Sequence, residues 1–367
     1  MNFLFNTAIK LGGATVSDES PTFIIAEGGV NHNGDIELGK RLVAAAATTG
    51  ADAIKFQMFH PEDLLLPTVS KARYQESISG GGTQYEMLEK LALSIEQMAV
   101  LKETAESEGL AFICMPFDSR SLAELSDLGV AAVKVASTDT TNTPFLGECA
   151  KVNFPVILST AMSYMAEVER AVQVFAQNGK RDLAVLQCTG NYPAPFQEAN
   201  IRVVEEFRSR FGCVTGYSDH TVGYEAAMLS VAAGGRIIEK HLTLDKSLPG
   251  PDHQASADLD EFAALVEAVR RAELMLGSRQ KLLSPYEIPN RGSLQKSIVL
   301  ASDVSGDATL TSQDVRFLRA GGSGISPIYW DELSRVRLCG RPWKRQIDQD
   351  ELFLSADQSV IDDEPAQ

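Results

Sequence analysis

The chain has little of what characterises secreted, membrane or nucleic-acid-binding proteins. Its five cysteines are odd in number and none are in a CxxC pair, so neither a disulfide framework nor a cysteine-ligated zinc is expected. The net charge of −16, without any basic run, disfavours a nucleic-acid partner. No apolar run reaches the roughly 18 residues of a membrane span, and no signal-peptide pattern follows Met1. These absences predict a cytoplasmic protein without nucleic-acid or membrane partners.

What is present is a regular alternation of short apolar runs and amphipathic segments. Eight runs alternate with eight helical segments from PTFIIAEGG to the helix that ends at Leu276. The runs are almost continuously apolar, as in parallel strands covered on both faces. The pattern predicts an α/β fold, a (β/α)8 TIM barrel over residues 21–277. A doubly wound open sheet is the alternative, but the GGVNHNG after the first strand does not fit GxGxxG.

Smaller segments flank the predicted barrel. Residues 1–20 are a polar N-terminal extension, and residues 278–291 are predicted to be a linker because they contain Ser284-Pro285 and Ile288-Pro289. Residues 292–355 contain short β-like pieces, SIVLASDV and VRFLRAGG, too few for a comfortable independent core. Residues 356–367 are acidic and polar, so the sequence predicts a disordered tail.

Two of the five histidines occupy equivalent places at the ends of the last two barrel strands. His220 follows CVTGYSD and His241 follows RIIEK. Residues leaving the carboxyl ends of neighbouring parallel strands, about 5 Å apart, converge on one point. Since neutral imidazole is a common ligand of divalent metals, the pair predicts a metal site. Two separate histidines at loop starts are the alternative.

Two lysines interrupt otherwise apolar strands. Lys55 and Lys134 would be costly to bury without an anionic partner. Together with the strand-end hydroxyls of Ser137, Ser159 and Ser218 they predict a cradle for a phosphate or carboxylate. A Schiff-base lysine is the alternative.

Three further strand-end residues are candidates for catalysis or binding. Glu27, at the end of the first strand, suits a base or a carboxylate that orients water, and its alternative is an ion pair with Lys55 or Lys240. Tyr192 follows the sixth strand. Asp252, in the loop PGPDHQAS after the eighth strand, suits the hydroxyls of a polyol or is a solvated loop residue.

The ordered set of motifs resembles one enzyme family. IIAEGGVNHNG, ADAIKFQMF, YEMLEKLALS, KVAS, VILSTAM, CTGNYPAP, GYSDHTVG, IIEKHLTLD and PGPDHQAS resemble the sialic (nonulosonic) acid synthases. RAGGSGISP resembles part of their antifreeze-like domain. The resemblance implies condensation of phosphoenolpyruvate with an N-acetylmannosamine-type sugar to a nine-carbon 2-keto acid, N-acetylneuraminate, plus phosphate. It also implies a divalent metal, most often Mn²⁺ with Mg²⁺ or Co²⁺ possible, and a domain-swapped homodimer.

Carried over residue by residue, the resemblance implies a role for each candidate. His220 and His241 would hold the metal, and Glu27 and Gln57 a water beside it. Phosphoenolpyruvate would be bound by Lys55, Lys134, Ser137, Ser159 and Ser218. Tyr192 and Asp252 would contact the sugar, and Arg319 would reach its N-acetyl group from the other subunit.

The chain departs from the family pattern at three places. The third strand ends CMPF rather than STPF, so Met115 replaces a threonine hydroxyl, and a thioether cannot donate a hydrogen bond. Gly190 stands where a polar residue is usual. RAGGSGISP lacks the proline of RPGxGISP and has one extra residue. The first two bear on phosphate affinity and the third on the geometry of Arg319.

Two rival functions and a choice of acceptor remain open in the sequence. The acceptor could be N-acetylmannosamine, its 6-phosphate, or the 2,4-diacetamido-trideoxyhexose that a legionaminate or pseudaminate synthase would use. A metal-dependent aldolase or lyase on the same barrel would not need phosphoenolpyruvate. A degenerate barrel kept as a scaffold would be expected to lose a ligand histidine, and both are present.

Overall fold

The structure is a computed structural model that describes residues 4–71, 82–304, 308–322 and 324–335. These residues form two units, one ending at Gly277 and the other starting at Ser278. Part of the predicted C-terminal module, residues 336–355, and the predicted tail, residues 356–367, lie outside the described residues.

Eight parallel strands of the first unit close into a barrel, which confirms the predicted fold. The strands follow chain order, and the eighth pairs with the first. Their spans are β3 (Phe23–Gly29), β4 (Ala53–Met58), β5 (Ala111–Pro116), β6 (Ala132–Val135), β7 (Val156–Ser159), β8 (Leu183–Cys188), β9 (Val214–Asp219) and β10 (Ile237–His241).

Helices connect these strands and cover the barrel. Side-chain caps begin several of them: Asp35, Asp118 and Asp258 each accept a backbone N–H of the first turn. The predicted helix over residues 197–210 begins later, at Arg202, because a 3-10 turn precedes it at Phe196–Glu198. The helices are α1 (Ile36–Thr48), α2 (Pro61–Leu64), α3 (Gln84–Glu89), α4 (Ile95–Ser107), α5 (Ser119–Leu128), α6 (Thr143–Cys149), α7 (Met165–Gln177), α8 (Arg202–Phe211), α9 (Glu225–Ala232) and α10 (Leu259–Leu276).

The N-terminal extension is not merely a polar segment. It contains a hairpin of β1 (Ile9–Leu11) and β2 (Ala14–Val16), whose two-residue turn uses Gly12 at φ +59°. Ile9, Leu11 and Val16 pack into the apolar cluster formed by the amino-terminal parts of the barrel strands. The hairpin therefore closes one end of the barrel, and the other end holds the strand-end residues.

The second unit is built around a small antiparallel sheet. Its strands are β11 (Lys296–Leu300) and β12 (Val315–Arg319), at the two predicted β-like pieces, with short helices α11 (Ile288–Leu294) and α12 (Trp330–Leu333). A cluster of buried aliphatic residues, among them Ile298 and Leu310, forms its core. The predicted linker, residues 278–291, was too long, because α11 starts inside it. Pro289 does not break the helix, because it occupies one of the first two helical positions, where a backbone N–H has no partner within the helix.

No helix in either unit, over the described ranges, has the length and apolarity that crossing a bilayer requires.

Candidate active site

A cavity of about 480 Å³ opens at the carboxyl end of the barrel strands. It is lined by eleven of the twelve candidates: Glu27, Lys55, Gln57, Lys134, Ser137, Ser159, Tyr192, Ser218, His220, His241 and Asp252. Side chains two positions apart on a strand point to the same face. Lys55 and Gln57 therefore both face the cavity, as do Ser218 and His220. The twelfth candidate, Arg319, is exposed on β12 of the second unit.

The two histidines lie side by side in this cavity. Their ring centroids are 5.6 Å apart, and the Tyr192 ring lies 4.1 Å from His220 and 5.6 Å from His241. His220 Nδ1 is 2.7 Å from the carbonyl oxygen of Thr189, to which it donates, so Nε2 keeps its lone pair. His241 Nδ1 is buried and has no hydrogen-bond partner among the described residues.

Both rings are suited to holding a divalent cation. Burial, followed by the neighbouring positive charges and imidazoles, lowers the pKa of each histidine to about 3, so both are neutral at pH 7. Neutral imidazole is the form that ligates metals. Within the described ranges no three His, Cys, Asp or Glu side chains cluster as a metal site. A cation here would therefore rely on two imidazoles together with water or substrate oxygens.

The two buried lysines are paired with two buried carboxylates. Lys55 Nζ lies 2.6 Å from Glu27 Oε2 and 3.8 Å from Glu239 Oε2, and Lys134 Nζ lies 3.5 Å from Glu239 Oε1. Burial raises the pKa of Glu239, but Lys134 and Lys55 outweigh it and hold the pKa below its usual range. Each lysine thus has a buried carboxyl group beside it, as its position in an apolar strand requires.

Glu27 combines the two alternatives that the sequence left open for it. It is ion-paired with Lys55, not with Lys240, whose ammonium instead lies 2.8 Å from Asp219 Oδ2. Its Oε1 accepts a hydrogen bond from Gln57 Nε2 at 3.0 Å. Burial raises the pKa of Glu27, although Lys55 opposes the shift. A carboxylate whose pKa is raised and that faces a cavity is a candidate general base.

The three serines line the same cavity as the lysines, and each makes a hydrogen bond there. Ser159 Oγ accepts from Lys134 Nζ at 2.6 Å, and Ser218 Oγ donates to Glu239 Oε1 at 2.9 Å. Ser137 Oγ accepts from the backbone N–H of Ala161 at 2.9 Å. Hydroxyls and ammonium groups thus line one cavity, as recognition of a phosphate or carboxylate needs.

Glu239 is the site residue that the sequence analysis missed. It contacts both cradle lysines and Ser218 and lines the cavity. The signal was present in IIEKH: because side chains alternate along a strand, an inward His241 implies an inward Glu239 and an outward Lys240.

Two departures from the family pattern have structural counterparts. The Met115 sulfur lies 4.0 Å from Lys55 Nζ, so a soft thioether borders the cradle. A Cβ at Gly190 would come within 3.0 Å of Met162 Cγ. Met162 therefore takes part of the space that a polar side chain at position 190 would occupy.

Apolar side chains form another side of the cavity, which we call the apolar wall. It consists of Val30, Phe59, Leu64, Leu65, Met87, Leu88 and Phe117, most of which pack together in one cluster. Among the described lining residues, the cationic side chains are Lys55 and Lys134.

A family model described as the NeuB family matches residues 42–281. The chain belongs to the NeuB family. An N,N'-diacetyllegionaminic acid synthase of Legionella pneumophila is 44% identical over 333 residues, which are 89% of this chain and 92% of the relative. The N-acetylneuraminate-9-phosphate synthase of Mus musculus is 36% identical over 82% of this chain and 83% of its own length.

A solved NeuB-family structure agrees with the barrel. The N-acetylneuraminic acid synthetase of Leptospira borgpetersenii, determined with citrate, is 33% identical, has a TM-score of 0.69 and covers 78% of this chain and 97% of its own. The predicted family and enzyme class, a synthase of the sialic acid type, are confirmed.

Proposed function

We propose that this NeuB-family chain condenses phosphoenolpyruvate with an N-acetylated amino sugar of the mannose type, releasing phosphate and a nine-carbon 2-keto sugar acid. The observation that supports the proposal most is the juxtaposition of a two-histidine pair with a lysine–serine cradle in one cavity. One group suits a divalent cation and the other suits an anionic substrate.

The cradle explains how a substrate with several negative charges could bind in a strongly acidic protein. Lys55, Lys134, Ser137, Ser159 and Ser218 would hold the phosphate and carboxylate of phosphoenolpyruvate. Because Glu27 and Glu239 pair with the lysines when no substrate is bound, phosphoenolpyruvate must displace these carboxylates from the ammonium groups. We expect phosphoenolpyruvate to compete with Glu239 for both lysines, since the Glu239 contacts, 3.8 Å to Lys55 and 3.5 Å to Lys134, are longer than the 2.6 Å contact between Lys55 and Glu27.

The reaction balances without any redox step. Carbon 3 of phosphoenolpyruvate forms a bond to the aldehyde carbon of the open-chain sugar, and the aldehyde oxygen takes up a proton. A water molecule, deprotonated by Glu27 with Gln57 holding the carboxylate, adds its oxygen to carbon 2. The bond between carbon 2 and the phosphate oxygen then breaks as the new carbon-2 hydroxyl gives up its proton, leaving the ketone and free phosphate. The two protons of the water end on the former aldehyde oxygen and on phosphate. When bound at His220 and His241, a divalent metal such as Mn²⁺ would supply Lewis acidity towards the aldehyde.

Two acceptors are candidates, and one is better supported. N-acetylmannosamine is the acceptor that the sequence predicted first. A 2,4-diacetamido-2,4,6-trideoxyhexose is favoured by the higher identity to the legionaminic acid synthase and by the apolar wall, which suits a C6 methyl group and a second acetamido methyl. A 6-phosphorylated acceptor would meet no further cation among the described lining residues.

The test is phosphate release from phosphoenolpyruvate with each acceptor, after chelation and after addition of Mn²⁺. In ¹⁸O-labelled water we expect the label at carbon 2 of the product and none in phosphate. Activity with the trideoxy sugar exceeding that with N-acetylmannosamine would support the preferred acceptor. Label in phosphate, or product formed without phosphoenolpyruvate, would contradict the reaction and favour an aldolase.

We propose in addition that the second unit acts as an antifreeze-like domain in a domain-swapped homodimer. Arg319 is exposed on β12, so it is available to another chain. Mixing Arg319→Ala chains with His220→Ala chains should restore activity, because one site of each mixed dimer regains both residues. If subunits exchange and the mixture stays inactive, Arg319 does not act across chains.

A further inference from the structure

The loop Pro249–Ser256 places Asp252 at the cavity. The next residue in the loop, His253, does not line the cavity. Asp252 Oδ2 lies 4.0 Å from His241 Nδ1 at the cavity edge. His253 is 1% exposed and is not among the residues that line the cavity. A buried histidine beside a cavity residue needs partners of its own, and these come from two other loops.

His253 makes a hydrogen bond through each ring nitrogen. Nδ1 lies 2.7 Å from Thr243 Oγ1, just after β10, and Nε2 lies 3.2 Å from Asn33 Oδ1, in the loop after β3. A neutral ring protonated at Nε2 satisfies both contacts when the Thr243 hydroxyl donates to His253 Nδ1 at 2.7 Å rather than to the Asp245 carbonyl oxygen at 3.2 Å, because the ring then accepts from Thr243 and donates to the Asn33 carbonyl oxygen. Asn33, Thr243 and His253, here called the loop brace, thus join three chain segments.

The backbone on both sides of Asp252 is also tied down. Gly250 has φ +146°, and a Cβ there would come within 2.6 Å of Asn33 Oδ1 and 2.7 Å of His253 Cδ2. Only glycine lets the loop approach the brace this closely. On the other side, Ser256 Oγ donates to the Asp252 carbonyl oxygen at 2.7 Å and accepts from Asn31 Nδ2 at 2.9 Å.

We propose that His253 is a positioning residue that fixes Asp252 against the cavity, and thereby sets the affinity for the sugar acceptor rather than for phosphoenolpyruvate. The assignment of Asp252 to the acceptor rests on the proposed function. The cradle for phosphoenolpyruvate is built by residues of β4, β6, β7 and β9 and by Ser137 in the turn after β6, and the hydrogen bonds of the brace residues go to none of them. We therefore expect loss of the brace to raise KM for the acceptor far more than KM for phosphoenolpyruvate.

Steady-state kinetics with the full chain test this selectivity. His253→Leu and Thr243→Val should each raise KM for the acceptor by at least about tenfold, since each removes more than one hydrogen bond, and leave KM for phosphoenolpyruvate within about twofold. The acceptor probes are N-acetylmannosamine and 2,4-diacetamido-2,4,6-trideoxymannose. His253→Gln, which offers one donor and one acceptor, should recover much of the loss. Thr49→Val is the matched control, since Thr49 is a buried threonine at the end of α1 whose hydroxyl donates to Ala46 O.

Hydrogen–deuterium exchange tests the brace without any turnover. In His253→Leu, the backbone amides of Ala255 and Ser256, which donate to the carbonyl oxygens of Asp252 and His253, should exchange at least about tenfold faster, and those of β3–β10 should not change. Equal increases of both KM values, or unchanged exchange in the loop, would overturn the proposal. If the wild-type chain releases no phosphate with either acceptor, the proposed function fails, and the exchange result alone decides whether His253 holds the loop.

Discussion

The two ends of the barrel are made from the same strands and contain opposite chemistry. At the amino end, Ile9, Leu11 and Val16 of the hairpin meet strand residues that are aliphatic, alanine or phenylalanine. At the carboxyl end, the same strands carry buried lysines and carboxylates around a cavity. All five histidines of the chain also lie at carboxyl-terminal strand ends or in the loops that follow: His32, His60, His220, His241 and His253.

The difference shows which end stabilises the fold and which end performs the chemistry. Burying charges costs free energy even when they are paired. Burying aliphatic side chains contributes about 25 cal/mol per Å². The amino end therefore offsets what the carboxyl end costs, and substitutions at the two ends should separate stability from activity.

The largest effect is expected at the histidine pair. His220→Ala or His241→Ala should reduce Mn²⁺-dependent phosphate release by at least about 10³-fold, because a Lewis acid contributes several kcal/mol to a transition state. The melting temperature should change little, since each removed ring lines a cavity. Wild-type activity of either variant after chelation and Mn²⁺ readdition would exclude the two-histidine site.

The opposite pattern is expected at the hairpin. Leu11→Ala removes a fully buried side chain and should lower the free energy of unfolding by about 2–5 kcal/mol, measured by urea denaturation. KM and kcat should stay within about twofold of wild type. Leu4→Ala, in the same segment but with Leu4 68% exposed, is the control and should cost less than about 0.5 kcal/mol. A hairpin variant that loses activity at full stability would contradict the division between the two ends.

Acid should destabilise the chain partly through the carboxyl end. Burial lowers the pKa of His32 from 6.5 to about 4, so between these pH values the unfolded chain binds a proton that the folded chain does not. The free energy of unfolding should therefore fall as the pH drops from 7 to 4, by on the order of 3 kcal/mol from this group. His32→Asn should flatten that dependence, measured by denaturation at each pH. Equal slopes in both proteins would rule out the contribution.

The smallest predicted effect concerns the cradle. Met115→Thr would place a hydroxyl beside Lys55, where the thioether now lies. One added hydrogen bond to a charged substrate group should lower KM for phosphoenolpyruvate about tenfold. The same substitution should leave KM for the acceptor unchanged. An unchanged or higher KM for phosphoenolpyruvate would mean that another group already satisfies the phosphate.

The strands and most helices were predictable because their signals are local. Each barrel strand is a short apolar run, and Asp35 and Asp258 cap helices at the positions that their sequences indicate. The hairpin was not predictable, because β1 and β2 have only three residues each and gain their stability from the barrel beneath them. The late start of α8 has a similar cause, since the 3-10 turn before it depends on the loop after β8.

The sequence by itself determined the fold class and which side chains reach the carboxyl end, since the strand period of two and the order of the βα units fix both. Only the tertiary structure decided which charges pair there. Glu27 binds Lys55 and not Lys240, Glu239 joins both cradle lysines, and His253 ties Asp252 to loops that are far apart in the chain. Barrel closure brings β10 beside β3, and a contact between residues more than two hundred positions apart leaves no periodic trace in the sequence.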